Sequence, residues 1–167
     1  AIEMGINPAT DLKVRAGIFG AEPCSQGMRD EIAEKLGIQY CDVYGLSEVN
    51  PPGVAFECKE MSGLHLAEDH FFAEIIDPDT LQPVPDGQYG ELVFTTLTRE
   101  CCPLVRYRTR DITRIISEPC ACGRTHRKID RIIGRSDDML ILRGVNVFPS
   151  QIEQVLTGFP EIATQYQ

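Results

Sequence analysis

The segment "SQGMRDEIAEKLGIQYCDVYGLSE" (25–48) predicts a helix followed by a strand. Ser25 is a favourable N-cap, and Gly37 stands where a left-handed residue commonly ends a helix. Apolar residues recur at every fourth position between these two ends, so they form one apolar stripe along the helix. The residues of this stripe are Met28, Ile32 and Leu36.

A second strand is predicted before this helix and completes a β–α–β unit. Residues 11–20, "DLKVRAGIFG", alternate apolar and polar side chains, and residues 38–45, "IQYCDVYG", form the strand after the helix. Two strands that are joined by a helix in this way are parallel. Ligands tend to bind at the carboxyl ends of such strands, where "VYGLSE" (43–48) lies.

The middle of the chain has a different pattern and is predicted to be mostly β structure. Residues 63–98 contain two apolar β segments joined by a turn rich in Pro, Asp and Gly. Residues 104–116 predict a pair of strands around a turn that contains Asp111. A short strand (138–144) and a helix (150–156) follow. The expected fold class is therefore mixed, α/β first and β-rich afterwards.

Composition and charge exclude several classes of partner. The 167 residues include 25 acidic and 16 basic side chains, a net charge of −9, which argues against a general surface for nucleic acid or anionic membrane. No apolar run is long enough to cross a membrane, and the first residues lack the basic and apolar regions of an export signal. We therefore expect a cytoplasmic protein whose seven cysteines are reduced.

Two short motifs carry side chains suited to a nucleotide. Tyr44 offers a flat face to a base, and Gly45 allows the backbone to approach a ligand closely. Ser47 offers a hydroxyl to a phosphate, and Glu48 offers a hard oxygen to Mg²⁺. Asp111 could accept both hydroxyls of a ribose. The alternative is an ordinary strand end beside a surface cluster of ion pairs, which would contribute little stability.

Cysteine spacing indicates a second candidate site. The predicted ligands of a structural Zn²⁺ are Cys58, His65, Cys120 and Cys122. His70 and His126 are alternative fourth ligands. The competing interpretation is four reduced residues in loops and strands that bind no metal.

The order of the motifs resembles the adenylate-forming superfamily of acyl-CoA synthetases, adenylation domains and luciferases. "YGLSE" (44–48) is similar to its aromatic–Gly–x–Ser/Thr–Glu motif, and "YRTRD" (107–111) to its Tyr-Arg-Thr-Gly-Asp motif, with Arg110 in place of Gly. "GRSDDMLILRGVNVFPSQIE" (134–153) resembles the motif between its large and small domains. Longer segments such as "ECKEMSGLHLAEDHFFAEIIDPDT" (57–80) resemble the phenylacetate–CoA ligase family.

The resemblance implies a role for each matched residue. "GAEP" is similar to the segment lining the adenosine and acyl pockets, with residues Gly20, Ala21, Glu22 and Pro23. The implied nucleotide contacts are Tyr44 and Gly45 at adenine, Ser47 at a phosphate, Glu48 at Mg²⁺, Asp111 at the ribose and Arg135 at the ribose or phosphate. Of these, Ser47, Glu48 and Arg135 are the implied catalytic residues. Gly144 would lie near the pantetheine tunnel, and Asp137 would be the hinge.

The implied reaction uses ATP, Mg²⁺, coenzyme A and an aryl acid, phenylacetate. Residues 1–50 would end the α/β nucleotide-binding part of a large domain, 51–136 would form a β-rich subdomain, and 137–167 would begin a small α+β lid domain. We expect such a fragment to be inactive alone, and a homodimer is the candidate assembly. The alternatives are an adenylating enzyme that transfers the nucleotidyl group to a cofactor and a non-catalytic, zinc-stapled β-rich binding module.

Overall fold

The computed structural model describes residues 4–21, 24–50, 53–142, 145–156 and 159. Within them are three helices, α1 (Pro8–Asp11), α2 (Gln26–Leu36) and α3 (Pro149–Leu156). The strands are β1 (Ala16–Phe19), β2 (Gln39–Tyr44), β3 (Ala55–Glu57), β4 (Leu64–Leu66), β5 (Phe71–Ile76), β6 (Gly90–Thr96), β7 (Tyr107–Thr113), β8 (Ile115–Ile116), β9 (Lys128–Ile129), β10 (Gly134–Arg135), β11 (Leu140–Leu142) and β12 (Val145–Val147). None of the helices in these ranges is long and apolar enough to cross a bilayer.

The first sheet confirms the predicted β–α–β unit and extends it. Its strand order is β1-β2-β3-β4-β9-β8, and β1 and β2 are parallel while the other neighbours are antiparallel. The pairing of Tyr44 with Ala55 joins β2 to β3. Strands on both sides of residue 50 therefore share one sheet, and the division at that residue stays a prediction.

A second, antiparallel sheet packs against the first across a common core. Its order is β10-β7-β6-β5. Leu66 and Ile129 from the first sheet and Leu92 and Phe94 from the second are fully buried in one cluster. Strands β11 and β12 form a separate hairpin, which α3 follows. The fold is thus the expected mixture of α/β and β structure.

Helix α2 has the predicted ends, but its buried face is not the apolar stripe. The Ser25 hydroxyl accepts a hydrogen bond from the Met28 N–H at 3.3 Å, and Gly37 adopts φ 65°. The apolar stripe is not the buried face of the helix, because Met28 is 41% exposed and Leu36 is also exposed, whereas Arg29 is only 2% exposed. The face toward the sheet is polar because Arg29 forms ion pairs there.

The prediction for residues 104–116 was also wrong. Strands β7 and β8 do not pair with each other, because β7 belongs to the second sheet and β8 to the first. Asp111 lies within β7 and not in a turn. The two buried residues Thr109 and Ile112 are three positions apart rather than two, because Arg110 between them adopts φ 71° where the β6–β7 ladder is irregular.

Candidate functional site

Residues from four separate motifs line one cavity of about 360 Å³. It lies where β1 and β2 end, facing β7 and β10. The predicted site residues on its wall are Gly20, Ala21, Tyr44, Gly45, Asp111 and Arg135. At Gly20 the backbone is packed so closely that a Cβ would lie 2.5 Å from the Val43 carbonyl oxygen. A side chain larger than hydrogen would therefore displace this part of the wall.

Tyr44 and Asp111 form the polar centre of the cavity. The Tyr44 hydroxyl donates to Asp111 Oδ2 at 2.5 Å, and Arg135 Nη1 lies 3.6 Å from Asp111 Oδ1. Arg135 is held there because its backbone pairs with Asp111 in the β10–β7 ladder. The carboxylate thus keeps one oxygen on the phenol, while the other is oriented by a cation.

Burial controls the ionisation of this pair. It raises the pKa of Asp111 above its ordinary value of 3.8, against the opposing effects of the Tyr44 hydrogen bond and the Arg135 charge. Burial and the adjacent Asp111 charge raise the pKa of the Tyr44 phenol, which therefore stays protonated and donates. Such a carboxylate, little hydrated by water, is a strong acceptor for ligand hydroxyl groups.

Ser47 and Glu48 do not line this cavity. They lie in the exposed turn after β2, and Ser47 borders a separate depression together with His70 and Arg99. Arg99 Nη1 donates to the Glu48 carbonyl oxygen at 2.5 Å, which fixes the backbone of the turn. Their roles toward phosphate and Mg²⁺ stay predictions.

The predicted hinge residue, Asp137, is bound to Arg135. The Arg135 Nε and Nη2 atoms donate to the two Asp137 carboxylate oxygens at 2.9 and 2.8 Å, and these hydrogen bonds lower the pKa of Asp137. Both side chains are about half exposed. The predicted residues Glu22, Pro23 and Gly144 lie outside the described residues.

A buried ion network beside the cavity was missed by the sequence analysis. Arg29 donates to Asp42 at 2.5 Å and to Glu57 at 2.7 Å, and Glu57 also accepts from the Asp42 N–H at 2.8 Å. Asp42 and Arg131 line the cavity. Burial raises the pKa of Asp42, while the charge of Arg29 opposes this shift. The available signal was an Arg in the helix, Arg29, followed by an Asp in the next strand, Asp42.

The three cysteines and one histidine that were predicted to bind zinc lie close together. The potential ligand atoms of Cys58, His65, Cys120 and Cys122 all lie within 4.8 Å of one another. The Cys58 and Cys120 sulfurs are 3.6 Å apart, and Cys122 Sγ is 3.4 Å from His65 Nε2. Neither alternative histidine belongs to the group, since His70 instead contacts the Thr98 hydroxyl at 2.9 Å. The hydrogen bond from Ser62 and the neighbouring Cys122 lower the pKa of Cys120 to about 6.

No family model matches the chain. Curated relatives do match it along almost its whole length. The phenylacetate-coenzyme A ligase of Escherichia coli K12 is 54% identical over 160 residues, which cover 95% of this chain and 36% of the relative. The same enzyme of Aromatoleum evansii is 56% identical over 165 residues, or 98% and 36% of the two chains. The chain is a homologue of phenylacetate–coenzyme A ligases. It spans a little over one third of their length.

Solved structures similar to this chain are adenylate-forming CoA ligases. The chain superposes on 2-hydroxyisobutyryl-CoA ligase in the postadenylation state, in complex with R3-HIB-AMP, with a TM-score of 0.85 at 30% identity, over 96% of this chain and 34% of that one. With the same ligase in the thioesterification state, bound to 2-HIB-AMP and CoA, the TM-score is 0.74 at 29% identity, over 99% and 35%.

Proposed function

We propose that the chain is the nucleotide-binding segment of an AMP-forming acid–CoA ligase that activates an aryl carboxylate, phenylacetate. The observation that carries this proposal is the convergence of four distant motifs on one cavity. Gly20, Tyr44, Asp111 and Arg135 are far apart in sequence and line the same wall. The names of the relatives at about half identity support the substrate class.

The reaction proceeds in two half-reactions. An oxygen of the aryl carboxylate attacks the α-phosphorus of ATP, and pyrophosphate leaves from the same phosphorus. The coenzyme A thiol then loses its proton and attacks the acyl carbon, and the bond to AMP breaks. A free carboxylate would have to expel oxide, whereas the adenylate expels a stable phosphate anion.

The residues on the cavity wall hold the nucleotide for both steps. The Tyr44 ring would pack against adenine, and the Asp111 carboxylate would accept the ribose hydroxyls. Arg135 would approach the ribose or phosphate, where its charge favours the pentavalent phosphorus of the transition state. The turn after β2 would supply Ser47 to a phosphate. Glu48 there would hold Mg²⁺, which disperses negative charge on the phosphates.

A rotation about Asp137 would separate the two half-reactions. The TM-scores of 0.85 and 0.74 with two states of one ligase indicate that the matched region is arranged differently in those two states, which is compatible with such a rotation. Arg135 would stay with the second sheet through the pairing of β10 with β7, while β11, β12 and α3 would rotate relative to that sheet. Gly144 would then face the pantetheine of coenzyme A. We further propose a cytoplasmic enzyme, with a homodimer as its assembly.

The test is ATP–pyrophosphate exchange by the full-length protein with a panel of aryl acids. We expect exchange that depends on phenylacetate and, after coenzyme A is added, stoichiometric thioester and AMP. Exchange without thioester, but with nucleotidyl transfer to another acceptor, would favour a different adenylating enzyme. A folded protein that supports no exchange with any aryl acid would refute the proposal.

A further inference from the structure

We propose that Cys58, His65, Cys120 and Cys122 bind one Zn²⁺ ion, which fixes the wall of the sheet behind the nucleotide cavity. This site lies outside the cavity and takes no part in the reaction proposed above. Four protein ligands close the coordination sphere, so no position is left for a substrate. The site is therefore structural.

Two of the distances between the four ligand atoms match those of a tetrahedral zinc site. With Zn–S near 2.3 Å and Zn–N near 2.0 Å, tetrahedral ligands are separated by about 3.8 Å for two sulfurs and about 3.5 Å for sulfur and nitrogen. The Cys58–Cys120 sulfur distance is 3.6 Å, and the distance from Cys122 Sγ to His65 Nε2 is 3.4 Å. All four atoms lie within 4.8 Å of one another, so binding an ion would bring the more distant ones closer by at most roughly 1 Å.

The backbone already presents the ligands from rigid positions. Cys58 and Cys120 each begin a tight turn in which the cysteine carbonyl oxygen accepts from the N–H three residues later, at Met61 and Gly123, at 3.0 Å in both turns. The second turn requires the left-handed φ of +80° at Gly123. His65 lies in β4 between β3 and β9. Ligands held in this way lose little freedom on binding a metal.

The buried imidazole of His65 lacks a strong polar partner, which a metal ion would supply. It is buried, and Nδ1 has no hydrogen bond among the described residues. Nε2 faces weakly polar cysteine sulfurs, with Cys122 Sγ at 3.4 Å. Burial of a polar ring without strong partners is unfavourable, and coordination through Nε2 supplies one.

The buried Lys128 points to a negative charge at the same place. Its ammonium donates to the Ser62 carbonyl oxygen at 3.1 Å and to the Ser62 hydroxyl at 3.4 Å, and it forms no ion pair with a carboxylate in the parts of the chain that the structure describes. The Ser62 hydroxyl lies 3.5 Å from Cys120 Sγ. A zinc ion with three thiolates and one neutral imidazole carries a charge of −1, which balances the ammonium through this serine.

A disulfide accounts for these observations less well. All seven cysteines are free, and a Cys58–Cys120 bond would neutralise both sulfurs while leaving His65 and Cys122 without a function. It would also remove the negative charge that Lys128 needs. Only a metal uses all four side chains and the ammonium together.

The site is placed to affect the cavity through its neighbours in sequence. Leu64, beside His65, and Ile129, beside Lys128, both line the cavity. Glu57, beside Cys58, holds Asp42. The metal would therefore hold the end of β3 and strand β4 directly, and β9 through the contact of Lys128 with Ser62. Residues of these strands form or support the cavity wall.

The experiment measures metal bound to the full-length protein. Protein purified without chelators should contain about one equivalent of zinc. After replacement by Co²⁺, it should show the intense visible bands of a tetrahedral ion and thiolate charge transfer in the near ultraviolet. Cys120→Ser should lose both signals. His65→Cys, which keeps four ligands, should retain the metal, as should the matched control Cys101→Ser at an exposed sulfur outside the cluster. Lys128→Gln should lower the affinity for zinc, measured by competition with a chelator, by about 10- to 100-fold.

Three results would overturn the proposal. The first is protein that is folded but free of metal after expression in zinc-supplemented medium. The second is full retention of the metal in both Cys120→Ser and His65→Ala. The third is a Cys58–Cys120 disulfide found by mass spectrometry in freshly prepared protein. None of these readouts depends on ligase activity, so the zinc site and the proposed reaction can fail independently.

Discussion

Replacement of Asp111 by Asn should separate nucleotide binding from stability. The amide keeps the shape of the carboxylate and can still accept from the Tyr44 hydroxyl, but it loses the charge. Hydrogen bonds to a charged group contribute about 1.5–3 kcal/mol, and this side chain is only 15% exposed, so water screens it little. We therefore expect the Kd of the full-length protein for AMP to rise about 10- to 150-fold.

The same substitution should leave stability unchanged or raise it. The folded-state pKa of Asp111 lies above its ordinary value of 3.8. The folded protein therefore binds this proton more tightly than the unfolded chain, and the contribution to stability falls as the pH rises from 3.8 through the raised pKa. At neutral pH the ionised group is a cost that Asn removes. Such an exchange of stability for function is common at binding sites.

The assay is calorimetric titration with AMP beside thermal unfolding of the same preparations. Tyr44→Phe is the control, because it keeps the aromatic ring and leaves Asp111 in place, and removes only the Tyr44 hydroxyl. It should weaken the binding of AMP by no more than about 1 kcal/mol. An unchanged AMP affinity in Asp111→Asn would refute the ribose assignment. So would a loss of affinity that is matched by a fall in Tm, because that result would mean a structural role.

Two further predictions concern the second sheet and the hinge. Glu91 is fully buried and accepts from Arg108 at 2.8 and 2.7 Å; burial raises its pKa, but the hydrogen bonds from Arg108 and Ser136 outweigh this and lower it. Glu91→Gln should therefore lower the unfolding free energy by about 2 kcal/mol at neutral pH, as measured by denaturant titration. The difference from the parent protein should vanish as the pH falls below 4.5 through the lowered pKa of Glu91. A deficit that persisted at low pH would exclude this ion pair as its cause. Asp137→Pro should slow thioester formation from a pre-made acyl-adenylate far more than pyrophosphate exchange, since proline fixes φ. Asp137→Ala is the control, because it loses only a half-exposed ion pair of at most about 1 kcal/mol, and it should slow neither step much. Equal losses in both half-reactions of a folded Asp137→Pro variant would show that this turn is not the hinge.

Local signals in the sequence predicted local structure well. Ser25 and Gly37 bounded α2 because caps depend on adjacent backbone groups alone. The buried face of that helix could not be predicted, because the ion pairs of Arg29 depend on Asp42 and Glu57, which lie in strands that follow it. Likewise, charge in "YRTRD" suggested a turn, whereas the surrounding sheet stabilises a strand there.

The candidate sites show the same division. The grouping of Cys58, His65, Cys120 and Cys122 was predicted because Cys and His side chains are few and chemically distinctive. The approach of Tyr44 to Asp111 followed only from the resemblance, since the two residues lie in different sheets. The support of Lys128 for the sulfur cluster was not predicted. A lysine before an isoleucine has no local pattern that distinguishes a buried ammonium from a solvated one.

A crystal structure of the full-length protein with AMP would show directly whether this cavity holds the nucleotide. We expect adenine against the Tyr44 ring and both ribose hydroxyls within hydrogen-bond distance of the Asp111 carboxylate. AMP bound at another site, with this cavity left to solvent, would exclude Tyr44 and Asp111 as nucleotide-binding residues.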